Sequence, residues 1–222
     1  MRILIACEES QAVCTEMRRM GHEAYSCDIQ EPSGGHPEWH ILGDALEALE
    51  GGTIITMDGM AHEVGKWDML IAHPPCTYLT NAGAVRMRKD GKIVPERFLK
   101  AMEARDFFME FWCAEIPKIA VENPTPMKIV QLPPYTQAIQ PYEYGHPYSK
   151  RTCLWLKNLP PLTPTKIMSE HQPWVNGGSK DAHGNYRRFQ GRRERDSKTR
   201  AKTFPGIAKA MAEQWAGKLE VK

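Results

Sequence analysis

Residues 67–83 read WDMLIAHPPCTYLTNAG, and the expected fold is built outward from this stretch. Trp67 to Ala72 form an apolar run that is too short for a helix before the prolines, so it predicts a buried strand of a parallel sheet. Pro74 and Pro75 cannot donate to a sheet ladder, so they end the strand and hold Cys76 in a fixed direction at its carboxyl edge. Open α/β sheets bind their ligands along that edge.

A cysteine displayed at a strand tip has two interpretations. A thiol with a lowered pKa or a nearby proton acceptor can attack an electrophilic carbon, which makes Cys76 a candidate nucleophile. The alternative is a buried cysteine that acts as a small hydrophobic side chain. The surrounding motifs must therefore decide between a reactive and a structural Cys76.

Length and composition predict one packed domain. The chain has 222 residues and 41% apolar content, which suits a single domain with at most a small appendage. It contains no run of about 18 apolar residues, so a membrane span is not expected.

Six cysteines occur without a CxxC pair, which favours free thiols in a reducing cytosol over a zinc site or disulfides. The N-terminal MRILIACEESQ meets acidic residues at once, which favours a first strand over a signal peptide. We therefore expect a cytoplasmic protein.

The formal net charge is only +2, but basic residues are concentrated late in the chain. The segment from Arg187 to Lys202, RRFQGRRERDSKTRAK, holds eight basic and two acidic residues. Such a run is either a solvated face or a segment that contacts phosphates. The residues that would make phosphate contacts are Lys150, Arg187, Arg188, Arg192, Arg193 and Arg195.

The start of the chain predicts a βαβ unit. Arg2 to Cys7 is an apolar strand, Gln11 to Met20 has helical spacing, and a second short strand, Glu23 to Cys27, ends in Asp28. An acidic residue about 20 residues after the first turn binds a ribose hydroxyl pair in nucleoside-binding Rossmann-like folds. The sequence EESQ replaces the usual GxGxxG turn, so a nucleoside without a pyrophosphate is favoured over a dinucleotide. The alternative is that Asp28 only starts a turn.

Two later strand tips also carry carboxyl groups. Asp44 ends a strand-like ILGD stretch, and it either accepts from an adenine amino group or caps the following helix. Pro95 to Ile116 has strong helical spacing, and the next buried strand, Lys118 to Val121, leads into Glu122. Adjacent parallel strands would then end in HPPC and ENP. Their tips can therefore bring a thiol and a carboxyl group to one small substrate.

The remaining segments are expected to surround that sheet. Thr53 to Met57 predicts either a short strand or a loop packed on the core, and Ala84 to Ile93 predicts a mobile loop beside Cys76. Arg151 to Leu156 predicts another strand, and Phe204 to Trp215 predicts an amphipathic closing helix.

The predicted sheet carries a thiol, Cys76, a carboxylic acid, Glu122, and the basic pair Lys150 and Arg151. Around a bound nucleoside these groups suit alkylation of a pyrimidine at carbon 5. A thiolate adds to carbon 6 and converts the ring into an enamine whose carbon 5 is nucleophilic. A carboxylic acid at ring N3 relieves the developing negative charge, and an arginine near the base carbonyl adds electrostatic stabilisation. Because a duplex hides the base, the base must be rotated out of the stack.

These motifs resemble those of the DNA (cytosine-5) methyltransferases, and most closely the short forms of phages and prophages. HPPC resembles the family's proline-cysteine motif, ENP its Glu-Asn-Val motif, LGD its Asp motif and GIAKAMAEQW its closing helix, in the family's order over nearly the whole chain. The resemblance implies a doubly wound α/β fold with a Rossmann-like class I methyltransferase sheet and a minimal target-recognition segment.

The resemblance also implies a function and a set of site residues. The expected activity is S-adenosylmethionine-dependent methylation of cytosine carbon 5 in double-stranded DNA, through a covalent adduct with Cys76 and base flipping. Glu122 would be the acid that engages N3, and Arg151 would match the second arginine of the family's Gln-x-Arg-x-Arg motif. The residues that would fall in the S-adenosylmethionine site are Glu8, Ser10, Asp28, Asp44 and Pro74.

The sequence departs from the family at three places. The first turn lacks the family's glycines, Thr77 stands where a glutamine is usual, and Ser149 replaces the first arginine of the arginine motif.

Residues 1–156 and 203–222 are expected to form the catalytic domain, and residues 157–202 a small DNA-contacting segment. Only about 45 residues separate Leu156 from the closing helix, which predicts a recognition sequence of about two bases. We expect a monomer in a bacterial host cell, within phage restriction-modification.

Other functions are compatible with the same residues. An exocyclic-amine methyltransferase, acting on N4 of cytosine or N6 of adenine, needs no thiol and predicts that Cys76→Ala retains activity. A non-catalytic DNA-binding protein on a methyltransferase-like fold predicts binding through residues 187–202 without uptake of S-adenosylmethionine. A different one-carbon donor and a free nucleotide substrate also stay open.

Overall fold

The central sheet of the computed structural model has seven strands. The structure describes residues 1–175, 177–180, 183, 185–189 and 197–219. The strands are β1 (Arg2–Ala6), β2 (Glu23–Asp28), β3 (His40–Leu42), β4 (Met69–Ala72), β5 (Lys118–Pro124), β6 (Gln137–Ile139) and β7 (Thr152–Lys157). Their order across the sheet is β3-β2-β1-β4-β5-β7-β6.

Most of the sheet is parallel. Strands β1 to β5 run in one direction, whereas β7 is antiparallel to β5, and β6 is antiparallel to β7. The order of the strands reverses between β1 and β4, because β2 lies on one side of β1 and β4 on the other. Ligands bind outside the carboxyl ends of the strands at such a switch point. The predicted Rossmann-like α/β class is confirmed.

Helices cover both faces of the sheet. They are α1 (Ala12–Arg19), α2 (Ala45–Ala48), α3 (Pro95–Cys113), α4 (Ser197–Ala201) and α5 (Pro205–Met211), and a π-helical turn, Ala212–Ala216, continues α5. Alternation along β1 divides the core, since Ile3 and Ile5 pack with α1 and α5 while Leu4 and Ala6 pack on the opposite face with α2 and α3. The sheet is therefore doubly wound, as predicted.

Two segments have more regular structure than the sequence indicated. The undecided stretch after Gly52 forms a hairpin of Gly52–Ile55 with Ala61–Gly65. The expected loop beside Cys76 contains a 3-10 turn, Asn81–Met87, and a small hairpin that turns at Asp90 and Gly91. Both turn residues have positive φ, 49° and 77°, which is the geometry that favours Asp-Gly in two-residue hairpins.

The end of β5 also differs from the expectation. The strand continues through Glu122 to Pro124, whereas the sequence predicted an end at Val121. The parallel partner β4 stops opposite Val121, but β7 pairs with β5 as far as Pro124. The antiparallel neighbour therefore holds Glu122 in a rigid strand rather than in a loop.

Two expectations about composition can be compared with the fold. Each of the six cysteines has a free thiol. Within the residues that the structure describes, no helix is both long and apolar enough to cross a membrane.

Candidate active site

The candidate site lies where β4 and β5 end side by side. Ala72 and Val121 are partners in the parallel register, so the residues that follow them emerge at the same edge. The amide of His73 makes the last bond of the strand, to the carbonyl oxygen of Ala6 at 3.0 Å. Pro74, which is buried, and Pro75 follow, and Cys76 stands at the far side of this rigid pair.

The loop after Cys76 is fastened to the segment that follows β5. The amide of Asn81 donates to the carbonyl oxygen of Thr125 at 2.9 Å, and the amide of Met127 donates to that of Leu79 at 2.7 Å. These two bonds keep Cys76 beside the tip of β5, which carries Glu122.

The thiol of Cys76 lies among opposing charges. Burial raises its pKa, and the negative charge of Glu122 raises the pKa further, whereas the cations Lys150 and Arg200 lower it. The structure therefore brings Cys76 and Glu122 within electrostatic range of each other. The thiol form of Cys76 is the resting form, because the raising effects dominate.

Glu122 lines a small cleft, where the empty space of about 290 Å³ includes open solvent. Lys150 and Thr152 line the same cleft from the start of β7, and residues 201–204 close it from the C-terminal part of the chain. On its other side, Oε2 of Glu122 lies 3.5 Å from Nδ1 of His73, and both side chains are largely buried. The carboxyl group thus stands between an imidazole and an open space.

Two hydrogen bonds fix the segment that closes the cleft. Lys150 donates from Nζ to the carbonyl oxygen of Arg200 at 2.8 Å. Lys202 donates from Nζ to Oγ of Ser33, in the loop after β2, also at 2.8 Å. The segment therefore crosses from the beginning of β7 to the loop that packs on the first turn.

The first turn explains why the sequence lacks a glycine-rich motif there. The carboxylate of Glu8 accepts from the amides of Val13 and Cys14 at 2.7 and 3.2 Å, at the start of α1. Burial raises the pKa of Glu8, and the adjacent His73 lowers it. Because the protein's own carboxylate occupies the helix N-terminus, those amides are not available for a phosphate. This arrangement agrees with a nucleoside ligand that lacks a pyrophosphate.

The glycine that permits close packing lies in another loop. A Cβ atom on Gly34 would lie 2.6 Å from Cβ of Gln11, so only glycine fits against the first turn. Gln11 itself holds this loop through bonds with the backbone of His36 in both directions. The sequence analysis missed this contact, whose signal is the Ser-Gly-Gly stretch that ends at Gly35.

The predicted cofactor residues lie near the carboxyl ends of β1 to β4. Asp28 accepts from the amide of Gln30 at 3.0 Å, and Asp44 caps α2 through the amide of Leu46 at 2.9 Å. Asp28 therefore stabilises a turn, and Asp44 caps a helix, as the alternative interpretations of the sequence predict. Burial raises the pKa of Cys7, and the charges of Asp28 and Asp44 raise it further, so the three side chains share one acidic corner. Ser10 lies in the first turn, where Oγ is 3.5 Å from the amide of Ala12.

The two basic residues before β7 point to different places. Arg151 is exposed, and its Nη2 donates to the hydroxyl of Tyr135 at 2.9 Å, which raises the pKa of Arg151. Lys150, which the sequence placed among the phosphate contacts, lines the cleft with Glu122. Lys150 is thus the basic residue that the structure brings to the candidate site.

The basic run is described only in part. Arg187 and Arg188 belong to the strand Tyr186–Phe189, which pairs with Gly177–Lys180. Arg192, Arg193 and Arg195 lie outside the described residues. The residues at the site to which the sequence analysis gave no individual role are His73, Arg200 and Lys202.

Comparison with known proteins gives only distant similarities. No family model and no curated protein matches the chain. A putative DNA modification methyltransferase encoded within an E. coli prophage is 13% identical with a TM-score of 0.42, and the match covers 76% of this chain and 52% of that one. A mutant of DNMT2 from Spodoptera frugiperda is 14% identical with a TM-score of 0.36, covering 77% and 57%. The chain thus spans little more than half the length of these structures.

Proposed function

We propose that this protein is a DNA methyltransferase that transfers a methyl group from S-adenosylmethionine to carbon 5 of cytosine. The observation that carries the proposal is the position of Cys76 and Glu122 at the tips of adjacent strands, where the charge of Glu122 acts on the thiol. Activation of carbon 5 requires a nucleophile that adds to carbon 6 and an acid at the N3 edge of the same ring.

The residues around the switch point suit a positively charged nucleoside. Asp28 and Asp44 form an acidic corner beside Cys7, and Glu8 already fills the helix N-terminus that a phosphate would need. Carboxylates attract a sulfonium and repel a polyphosphate. Bound S-adenosylmethionine would supply an electrophilic methyl group at this edge of the sheet.

The proposed reaction is balanced in protons and charge. The Cys76 thiol loses its proton to solvent, and the thiolate adds to carbon 6 of cytosine while N3 takes a proton from Glu122. Carbon 5 of the resulting enamine would then bond to the methyl group of S-adenosylmethionine as the bond from that methyl group to sulfur breaks, and S-adenosylhomocysteine would leave. Loss of the carbon 5 proton to solvent and departure of the Cys76 thiolate restore the ring, and N3 returns its proton to Glu122.

The electrostatics of the site support this sequence of steps. A protonated Glu122 does not raise the pKa of Cys76, so the thiolate forms most easily while the acid still holds its proton. Lys150 and Arg200 favour the thiolate at the same stage.

Double-stranded DNA is the proposed partner. Lys150, which lines the cleft, and the basic segment 187–202 would contact phosphates and hold the flipped base near Glu122. Residues 157–202 offer few side chains for reading base edges, which supports a recognition sequence of about two bases. A methylation map of DNA treated with the purified protein tests this point, and a target of four or more bases would refute it.

The decisive experiment identifies the product and the adduct. The protein is incubated with labelled S-adenosylmethionine and duplex DNA, which is then digested to nucleosides, and in parallel with DNA that contains 5-fluorocytosine. We expect 5-methylcytosine and a covalent adduct from the wild type and from Cys113→Ala, whose cysteine is exposed at the end of α3. Cys76→Ala should lose both. Label in N4-methylcytosine or N6-methyladenine, or transfer by Cys76→Ala, would reject the proposal.

A further inference from the structure

His73 is a buried imidazole that the steps above do not use. It follows β4 directly, and its Nδ1 lies 3.5 Å from Oε2 of Glu122. Only 11% of the His73 side chain is exposed, and its Nε2 atom has no hydrogen-bond partner among the described residues. Buried polar atoms are rarely left without a partner unless the site has a use for them.

The backbone holds this pair of side chains rigidly. The amide of His73 bonds to Ala6 and two prolines follow, so the backbone of His73 is fixed at the edge of the sheet. Glu122 pairs with Leu154 of β7 and is fixed on the neighbouring strand. The short distance between the two side chains is therefore built into the sheet.

Carboxylates face His73 from two elements. Glu122 approaches from β5, and Glu8 approaches from the turn before α1. Burial raises the pKa of Glu8, and the nearby His73 lowers it. The further titratable groups around Glu122 include Cys76 and Cys153, on whose thiols its charge acts, and Lys150 in the same cleft. The Nδ1 atom of His73 therefore lies at ion-pair distance from the Glu122 carboxyl group, on the side away from the cleft.

We propose that His73 is a positioning residue for Glu122, an inference that rests on the cytosine-5 methylation proposed above. The Nδ1–H group of His73 engages Oε2, which leaves Oε1 to face the cleft and N3 of the base. When Oε1 has given its proton to N3, His73 stabilises the carboxylate that remains. When the ring is restored, the proton returns from N3 to Oε1, so His73 stabilises the carboxylate without consuming a proton.

Three substitutions separate this role from simple packing. In His73→Asn the side-chain amide nitrogen can occupy the place of Nδ1, whereas in His73→Gln it reaches the place of Nε2. We expect His73→Ala and His73→Gln to lower kcat for methylation by about tenfold to hundredfold, part of the usual contribution of a general acid. The KM for DNA should stay within about twofold, because His73 lies behind Glu122. His73→Asn should recover most of kcat.

The assay measures kcat and KM on duplex DNA, the rate of adduct formation with 5-fluorocytosine DNA, and the thermal unfolding of each variant. The inference would be overturned if His73→Ala left kcat unchanged, or if the Ala and Asn variants lost equal amounts of kcat at equal stability. Recovery of kcat by His73→Gln instead of His73→Asn would also overturn it. If His73→Ala does not fold, the values of kcat for His73→Asn and His73→Gln are compared instead. If the wild type forms neither 5-methylcytosine nor the adduct, the proposed function is rejected together with this inference. If the wild type forms both and the His73 variants keep its kcat, only this inference is rejected.

Discussion

Lys150 donates from Nζ to the carbonyl oxygen of Arg200, 50 residues later in the chain, over 2.8 Å. This bond places both cations beside Cys76, where they lower the thiol pKa, opposite the raising effect of Glu122. Burial raises the pKa of Cys76 most, and the carboxylate on β5 and the two cations then act on it in opposite directions.

The first prediction concerns the reactivity of that thiol. Glu122→Gln removes the charge that raises the pKa of Cys76, so at a fixed pH below the pKa more thiolate is present and alkylation is faster. Lys150→Met removes a charge that lowers the pKa, so alkylation is slower. The rate of iodoacetamide labelling of the Cys76 peptide, followed by mass spectrometry between pH 7 and 10, measures both effects.

A lysine at the opposite end of β7 provides the control for that experiment. Lys157→Met removes an equal charge, but Lys157 bonds to the carbonyl oxygen of Ala114, away from the candidate site. It should leave the labelling profile of Cys76 unchanged. If Glu122→Gln and Lys150→Met moved the profile in the same direction, the opposing-charge account of Cys76 would be wrong.

The second prediction concerns binding of DNA at the cleft. Lys150 and Lys202 both line it, and each should neutralise about one phosphate. Lys150→Met and Lys202→Met should each reduce the slope of log K against log salt by about one. Lys209→Met is the control, because Lys209 is exposed and lies on α5 between Ile207 and Met211, whose side chains face the cleft. Fluorescence anisotropy with labelled duplex DNA at several salt concentrations measures the slopes, and equal slopes for all three variants would exclude phosphate contacts at the cleft.

Local signals predicted the elements that carry the candidate site. An apolar run followed by two prolines was enough to predict the strand before Cys76, and the apolar KIAV stretch was enough for the strand before Glu122. The Asp90-Gly91 turn was also readable, but the weak hydrophobic pattern around it favoured a loop. Elements with their own short-range pattern are therefore predictable from one sequence.

Contacts between distant segments were not predictable in this way. Lys202 and Ser33 are 169 residues apart, and their hydrogen bond depends on how the C-terminal segment crosses the sheet. The extension of β5 through Glu122 likewise depends on β7, which pairs with it antiparallel. The sequence gives no role to His73, because its contact with Glu122 depends on the neighbouring strand and not on the residues next to it in sequence.

The third prediction concerns the pH dependence of stability. Burial raises the pKa of Glu8 above its ordinary value of 4.5, so over the interval between the two values the folded protein holds a proton that the unfolded chain has lost. The contribution of Glu8 to the free energy of unfolding therefore falls as the pH rises through that interval, by about 1.4 kcal/mol per pH unit. Glu8→Gln should remove this fall.

Urea unfolding of the wild type and of Glu8→Gln between pH 4 and 8 measures this effect. Glu50→Gln, at an exposed position, controls for the loss of one carboxylate. A difference between wild type and Glu8→Gln that does not change with pH would contradict the assignment.

The last prediction concerns the docking of the closing helix. A Cβ atom on Gly206 would lie 2.0 Å from the carbonyl oxygen of Tyr144 and 2.9 Å from Nε2 of His146, which also accepts from the Gly206 amide. Because the nearest obstacle is backbone, Gly206→Ala must displace the first turn of α5 and should cost about 1–3 kcal/mol in unfolding free energy. Gly43→Ala, with no atom within 4 Å of the added carbon, should cost far less. Since α5 lines the cleft, Gly206→Ala should also weaken DNA binding in the anisotropy assay, and equal unfolding midpoints for the two alanine variants would show that the Gly206 contact does not hold the helix in place.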